Sequence, residues 1–96
     1  MGKKEEYWLK DGNNIHSVCQ KAIYTYGAEH QQVKALEELG ELSSAIARAI
    51  IGGEHNVEEE IADVEIMLVQ LRLMFQGKDI DEMKLKKLER LAGHIW

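Results

Sequence analysis

The sequence predicts an all-α fold, an antiparallel bundle of about four helices in which residues 1–96 form a single domain. Apolar residues recur at helical spacing along most of the chain, and no segment shows the period of two that is typical of a strand. Proline is absent from the 96 residues, so none of the predicted helices has to be broken or kinked. A chain of this length builds one small core, which we expect association with further copies to complete.

Glycines and capping residues predict where the first two helices begin and end. The first helix spans about 14–26, with Asn13 or Asn14 as its N-cap and Gly27 as its stop. The second helix spans about 28–51 and ends at a pair of glycines.

The third and fourth helices are predicted from the same signals. The third begins near Asn56, which is followed by acids that the helix dipole favours, and it stops at Gly77. The fourth begins at Asp79, with Glu82 three residues later as the second member of a capping box.

Composition and charge indicate a cytoplasmic globular protein. The net charge of -5 argues against a nucleic-acid surface, which is normally basic. Cys19 is the single cysteine, so no disulfide forms within the chain and a reducing compartment suits it. The N-terminus lacks the apolar stretch of a signal peptide, and no apolar run is long enough to cross a membrane. Residues 1–12 are predicted to be a polar arm, with Tyr7, Trp8 and Leu9 as candidate docking points.

Each of two short stretches, "EELGEL" and "EEEIAD", contains two acids three residues apart among apolar neighbours. On a helical wheel, Glu38 and Glu41 lie about 60° apart on the shoulder of an apolar arc. Glu60 lies inside the apolar arc of the third helix and Asp63 lies at its edge. The predicted core arc of the second helix contains Leu36, Leu39, Leu42, Ile46 and Ile50. The main arc of the third contains Ile61, Val64, Met67, Leu68, Leu71, Met74 and Phe75.

The third helix also carries Ile66, Val69 and Leu73 on its opposite side, so it is apolar nearly all round. A helix of that kind is buried on several sides. In so small a protein this predicts a second chain, although a dimer and a tetramer are not distinguished.

The acid pairs predict a divalent metal site. An ionised carboxylate in an apolar setting must be paired, neutralised or bound to a metal. Lys34 and Arg48 are the nearby cations in the sequence, and they are too few for four acids. Mg²⁺ prefers carboxylate oxygens and often binds beside substrate phosphates. A simple solvated helix surface remains the alternative, and it is the preferred interpretation for Glu37, Glu58 and Glu59.

The stretches "GAEHQQVKALEELGELSSAI" and "HNVEEEIADVEIMLVQL" resemble the MazG-like, all-α nucleotide pyrophosphohydrolases, in particular their short single-module forms. The resemblance spans roughly residues 22–76, and we expect it to include the fourth helix through "KLERL". The signature of that superfamily is EExxE followed, after a variable gap, by ExxD. In this sequence it reads Glu37, Glu38, Glu41, then Glu60 and Asp63.

The resemblance implies Mg²⁺-dependent hydrolysis of ribo- or deoxynucleoside triphosphates to the monophosphate and pyrophosphate, with Mn²⁺ as a possible substitute. A role in cleaning or adjusting the nucleotide pool follows from it, in a homodimer or homotetramer. The implied metal ligands and catalytic acids are Glu38, Glu41, Glu60 and Asp63.

The resemblance also implies nucleotide contacts. Lys34 is expected to contact phosphate, and Gln31 and Asn56 are expected to contact the nucleotide or to support the ligands. For Gln31 and Asn56, bonding only within the fold is the alternative. Glu38 and Glu41 are both candidates for a general base, and the sequence does not decide between them.

Two other functions remain open. One is a non-catalytic helical oligomerisation or adaptor module whose acids are surface residues. The other is an enzyme similar to phosphoribosyl-ATP pyrophosphohydrolase, ranked lower because "ALEE" at residues 35–38 replaces the "GEE" motif of that branch.

Overall fold

The computed structural model describes residues 8–96, which form four α-helices and confirm the predicted all-α bundle. Helices α2 and α3 pack along each other, α1 lies against both, and α4 contacts α3 only weakly. Residues 1–7 of the predicted arm, including Tyr7, lie outside the described residues. The helices are α1 (Ile15–Tyr26), α2 (Ala28–Ile50), α3 (Val57–Met74) and α4 (Gly77–Ile95).

The boundaries of α1 follow the predicted capping signals. The side chain of Asn14 accepts a hydrogen bond from the Ser17 backbone N–H, and Ser17 Oγ accepts one from the Asn14 N–H. This reciprocal pair is a capping box that satisfies two donors at the helix start. At the other end, Gly27 has φ +95°, a conformation that a residue with a Cβ rarely adopts.

The junction between α3 and α4 corrects a prediction. Helix α3 ends at Met74, and α4 already begins at Gly77 with Gln76 as its N-cap. Asp79 therefore lies within the first turn of α4, where the helix dipole favours its charge, and it is not the cap. The sequence did not separate the two positions because an acid is favourable at both.

The buried face of α2 also differs from the predicted arc. Gln31, Ala35 and Ala45 are the buried residues of α2, whereas Leu36 is 69% exposed and Ile50 is 78% exposed. We attribute this arrangement to the small alanine side chains, which let a second helix backbone approach closely. On α3, the buried apolar residues are Val64 and Met67, both within the predicted arc, and Cys19 joins them from α1.

Helix α4 stands apart from the other three. None of its residues is buried within the chain, and Met83, Leu88 and Leu91 are more than half exposed. The radius of gyration is 15.9 Å, compared with about 12.5 Å expected for a compact domain of this length. No helix in residues 8–96 is long and apolar enough to span a bilayer.

Candidate metal centre

Hydrogen bonds fix how α2 and α3 align. Gln31 near the start of α2 bonds Gln70 near the end of α3, and Arg48 near the end of α2 bonds Asn56 at the start of α3. The two helices are therefore antiparallel. The acids of both sequence motifs lie between these two contacts.

Three predicted acids meet between the helices. Within the described residues, one carboxylate oxygen each from Glu38, Glu60 and Asp63 lies within 4.8 Å of the others. Glu60 and Asp63 are three apart on α3, so both side chains project from one side of that helix. Glu38 approaches them from α2. We refer to these three residues as the acid cluster.

Two oxygens of the acid cluster lack the partners that buried polar atoms normally have. Glu60 is 8% exposed and the side chain of Glu38 is 12% exposed. Within residues 8–96, Glu38 Oε1 and Glu60 Oε1 are buried and accept no hydrogen bond. Leaving a buried carboxylate oxygen unsatisfied costs about 1–3 kcal/mol or more, so each needs an explanation.

The other oxygen of each residue has a partner. Asn56 Nδ2 donates to Glu60 Oε2 at 2.8 Å, and Lys34 Nζ lies 3.4 Å from Glu38 Oε2. In the carboxylates of Glu38 and Glu60, one oxygen therefore has a partner and the other remains available to a ligand.

Glu41, the fourth predicted acid, lies outside the 4.8 Å group and is exposed. It is close enough to respond to the cluster, because the negative charge of Glu38 raises the pKa of the Glu41 carboxyl. Desolvation and the charge of Glu60 act in the same direction. Glu41 therefore lies at the solvent edge of the acid cluster.

The three predicted nucleotide contacts occupy different environments. Asn56 is partly buried and is bonded to Arg48 and Glu60. Lys34 is exposed and forms ion pairs with Glu37 at 3.1 Å and with Glu38; the hydrogen bond to Glu37 is the largest cause of a raised pKa of the Lys34 ammonium. Gln31 is buried and donates to Gln70 Oε1 at 2.8 Å, so its amide is bonded within the fold. The roles of these side chains toward a nucleotide stay predictions.

Sequence reasoning did not assign a structural role to Arg48 or Gln70. Arg48 Nη2 donates to Asn56 Oδ1 at 3.0 Å, and Gln70 pairs with Gln31. One signal for Gln70 was present, because Asn56, Asp63 and Gln70 are spaced seven apart and share one strip of α3. The partner of each polar residue on that strip depends on the register between helices, which spacing alone does not give.

The donor set of the acid cluster fits a hard divalent cation. Carboxylate oxygens are the ligands that Mg²⁺ and Mn²⁺ prefer, and two of the buried oxygens have no competing donor among the described residues. Among residues 8–96, Lys34 forms an ion pair with Glu38, and no cation pairs with Glu60 or Asp63. Excess negative charge in a partly buried site is the condition that a bound cation relieves.

Comparison with known proteins adds no family to this picture. The chain matches no protein-family model, no curated protein and no solved structure.

Proposed function

We propose that this protein is a Mg²⁺-dependent nucleoside triphosphate pyrophosphohydrolase that yields the nucleoside monophosphate and pyrophosphate. The observation that carries the proposal is the meeting of Glu38, Glu60 and Asp63 with two buried oxygens unbonded. The resemblance of the surrounding sequence to MazG-like enzymes supplies the reaction class. Glu38, Glu60 and Asp63 all belong to the signature of those enzymes, so the geometry of the acids and the sequence resemblance support the same site.

Glu38, Glu60 and Asp63 would hold the metal, and Glu41 at the solvent edge is a further candidate ligand. A bound divalent cation supplies neutralisation of triphosphate charge and a template for the reacting groups. Asn56 holds one oxygen of Glu60, and the other oxygen is buried and unbonded.

In the proposed reaction, a water oxygen bonds to the α-phosphorus and the bond from that phosphorus to the α–β bridging oxygen breaks. Pyrophosphate leaves with that bridging oxygen, and the water proton passes to a base. Glu41 suits the role of base because it is exposed at the edge of the acid cluster, where water can reach it. Glu38 remains the alternative base. Lys34 is exposed and can turn its ammonium from Glu37 to a phosphate oxygen.

The proposal includes self-association into a homodimer or homotetramer. Its support is the exposed apolar surface of α4 together with that of Leu36 and Ile50 on α2. A cytoplasmic location is part of the proposal, since Cys19 is a free thiol and a reducing compartment keeps it so.

A nucleotide panel tests the reaction class. The protein is incubated with Mg²⁺ and each ribo- and deoxynucleoside triphosphate, with phosphoribosyl-ATP as a further arm, and products are identified by ³¹P NMR. We expect equal amounts of monophosphate and pyrophosphate from at least one nucleoside triphosphate, and loss of that activity in Asp63→Asn. Release of inorganic phosphate alone would assign a different reaction. Turnover of phosphoribosyl-ATP alone would favour an enzyme similar to phosphoribosyl-ATP pyrophosphohydrolase.

A non-catalytic oligomerisation module is the second candidate, and the exposed apolar stripe of α4 favours it. This candidate predicts no turnover with any member of the panel. It also predicts that millimolar Mg²⁺ or Mn²⁺ leaves the melting temperature unchanged, because a solvated acid surface binds no specific cation.

A further inference from the structure

The side chain of Asn56 does not cap helix α3, although the residue lies at the N-cap position. Asn56 is the N-cap of α3, where asparagine normally accepts a hydrogen bond from a backbone N–H of the first turn. No such bond forms here. The amide instead lies between two side chains, accepting from Arg48 and donating to Glu60.

We propose that Arg48 and Asn56 are positioning residues that orient Glu60 for metal binding, an inference that rests on the proposed function. Arg48 Nη2 donates to Asn56 Oδ1 at 3.0 Å, and Asn56 Nδ2 donates to Glu60 Oε2 at 2.8 Å. A second nitrogen of the guanidinium, Nη1, donates to Ser44 Oγ at 3.3 Å. The guanidinium therefore makes two hydrogen bonds, one to Asn56 and one to Ser44.

The chemistry of Arg48, Asn56 and Glu60 fixes which group donates and which accepts in each hydrogen bond. Arginine only donates hydrogen bonds, so the Asn56 carbonyl oxygen must face Arg48 and the amide N–H must face Glu60. The bond to Glu60 Oε2 restricts rotation of the carboxylate and leaves Oε1, which is buried and unbonded, for the cluster. Residues that hydrogen-bond a metal ligand in this way fix its orientation and strengthen metal binding.

Charge alone predicts the opposite effect for Arg48. A guanidinium near a cation site repels the cation, so removal of its charge would strengthen metal binding if Coulomb interactions were its only influence. In the positioning account, the same removal weakens binding, because Asn56 loses the contact that sets its orientation. The sign of the change in affinity therefore separates the two accounts.

Mn²⁺ alone is the probe, and free Mn²⁺ is followed by electron paramagnetic resonance during titration of the full chain. We expect Asn56→Ala to weaken Mn²⁺ binding about tenfold, and Arg48→Ala to weaken it about threefold because Asn56 stays in place. Arg48→Lys keeps the charge and one donating nitrogen, so it should recover part of the loss. Arg90→Ala removes the same charge from an exposed position on α4 and should leave the affinity unchanged.

The outcomes separate this inference from the function on which it rests. Unchanged or tighter binding in both Asn56→Ala and Arg48→Ala, with saturable binding by the wild type, would overturn the positioning role and leave the proposed function standing. No saturable binding by the wild type would overturn both. Circular dichroism and melting without metal show whether each variant folds; if Asn56→Ala does not, Arg48→Ala and Arg48→Lys decide, because both change an exposed side chain.

Discussion

Gln31 and Gln70 form a hydrogen bond in the interior of the protein, with Gln31 Nε2 donating to Gln70 Oε1 at 2.8 Å. Both side chains are buried, and they join the start of α2 to the end of α3. Gln31 Oε1 also contacts His30 Nδ1 at 2.8 Å, so both ends of the Gln31 amide are bonded. A buried pair of this kind specifies the register of two helices.

Replacement of one member of this pair should be costly. Gln70→Leu leaves the Gln31 amide nitrogen buried without an acceptor, and we expect the free energy of unfolding to fall by about 1–3 kcal/mol. Urea denaturation followed by circular dichroism measures the change.

The double variant Gln31→Leu/Gln70→Leu serves as the control for this prediction. Because it removes both polar groups, it should regain much of the loss, and the double-mutant cycle gives the coupling. Additive effects of the two substitutions would show that the amides do not stabilise each other.

Glu60→Gln should stabilise the protein in the absence of metal. The substitution removes a buried charge that lies beside two other carboxylates, and its amide N–H can donate to them. We expect the free energy of unfolding in EDTA at neutral pH to rise by about 1 kcal/mol.

Glu59→Gln is the matched control, since it removes the same charge from an exposed residue in the same first turn of α3. It should lower stability slightly, by about 0.3–1 kcal/mol, through lost interaction with the helix dipole. Equal effects of the two substitutions would contradict a crowded acid cluster.

The pKa of the Glu41 carboxyl should lie above its ordinary value in the metal-free protein, because the negative charge of Glu38 raises it. Side-chain carboxyl ¹³C NMR measures this directly, and Glu38→Gln should lower the Glu41 pKa. Between the ordinary pKa and the raised one, the folded state binds more protons than the unfolded state. Stability therefore falls as pH rises through that window, and Glu41→Gln should reduce the fall. An unshifted Glu41 in the wild type would place it away from the acid cluster.

The exposed apolar residues of α4, which include Met83, Leu88 and Leu91, should mediate self-association. Leu88 and Leu91 lie one turn apart and are each more than half exposed, so Leu88→Asp/Leu91→Asp should lower the oligomer mass without unfolding the chain. Sedimentation velocity measures the mass, and Glu89→Gln on the exposed surface of α4 is the control. If the double variant kept its mass, association would have to use another surface.

Helical periodicity predicted that acids three apart would share one side of their helix, and the packing of α2 on α3 brings three of the four acids together. Acids three apart on a helix share one side, and this predicted that Glu60 and Asp63 would act as a pair. Glu38 and Glu41 have the same spacing, but only Glu38 reaches the cluster because Glu41 lies on the solvent side of that strip. Spacing gives the angle between side chains on one helix. It does not give the rotation of that helix about its own axis in the bundle.

The same limit explains the predicted core of α2. The arc with the largest apolar residues contains Leu36 and Ile50, which are exposed within this chain, whereas Ala35 and Ala45 are buried. On a helical wheel, residue size favours burial of the arc that contains Leu36 and Ile50. Close approach of two helices favours burial of the small residues Ala35 and Ala45. If copies associate as proposed, the exposed leucines belong to contacts that one sequence cannot assign.

We expect Glu38, Glu60 and Asp63 to bind one divalent cation between α2 and α3. Crystals grown with Mn²⁺ test it most directly, by an anomalous difference map collected at the manganese edge. We expect a peak within about 2.5 Å of an oxygen from each of these residues, including the Oε1 atoms of Glu38 and Glu60. Carboxylates that point apart into solvent, with no peak between them, would contradict the account.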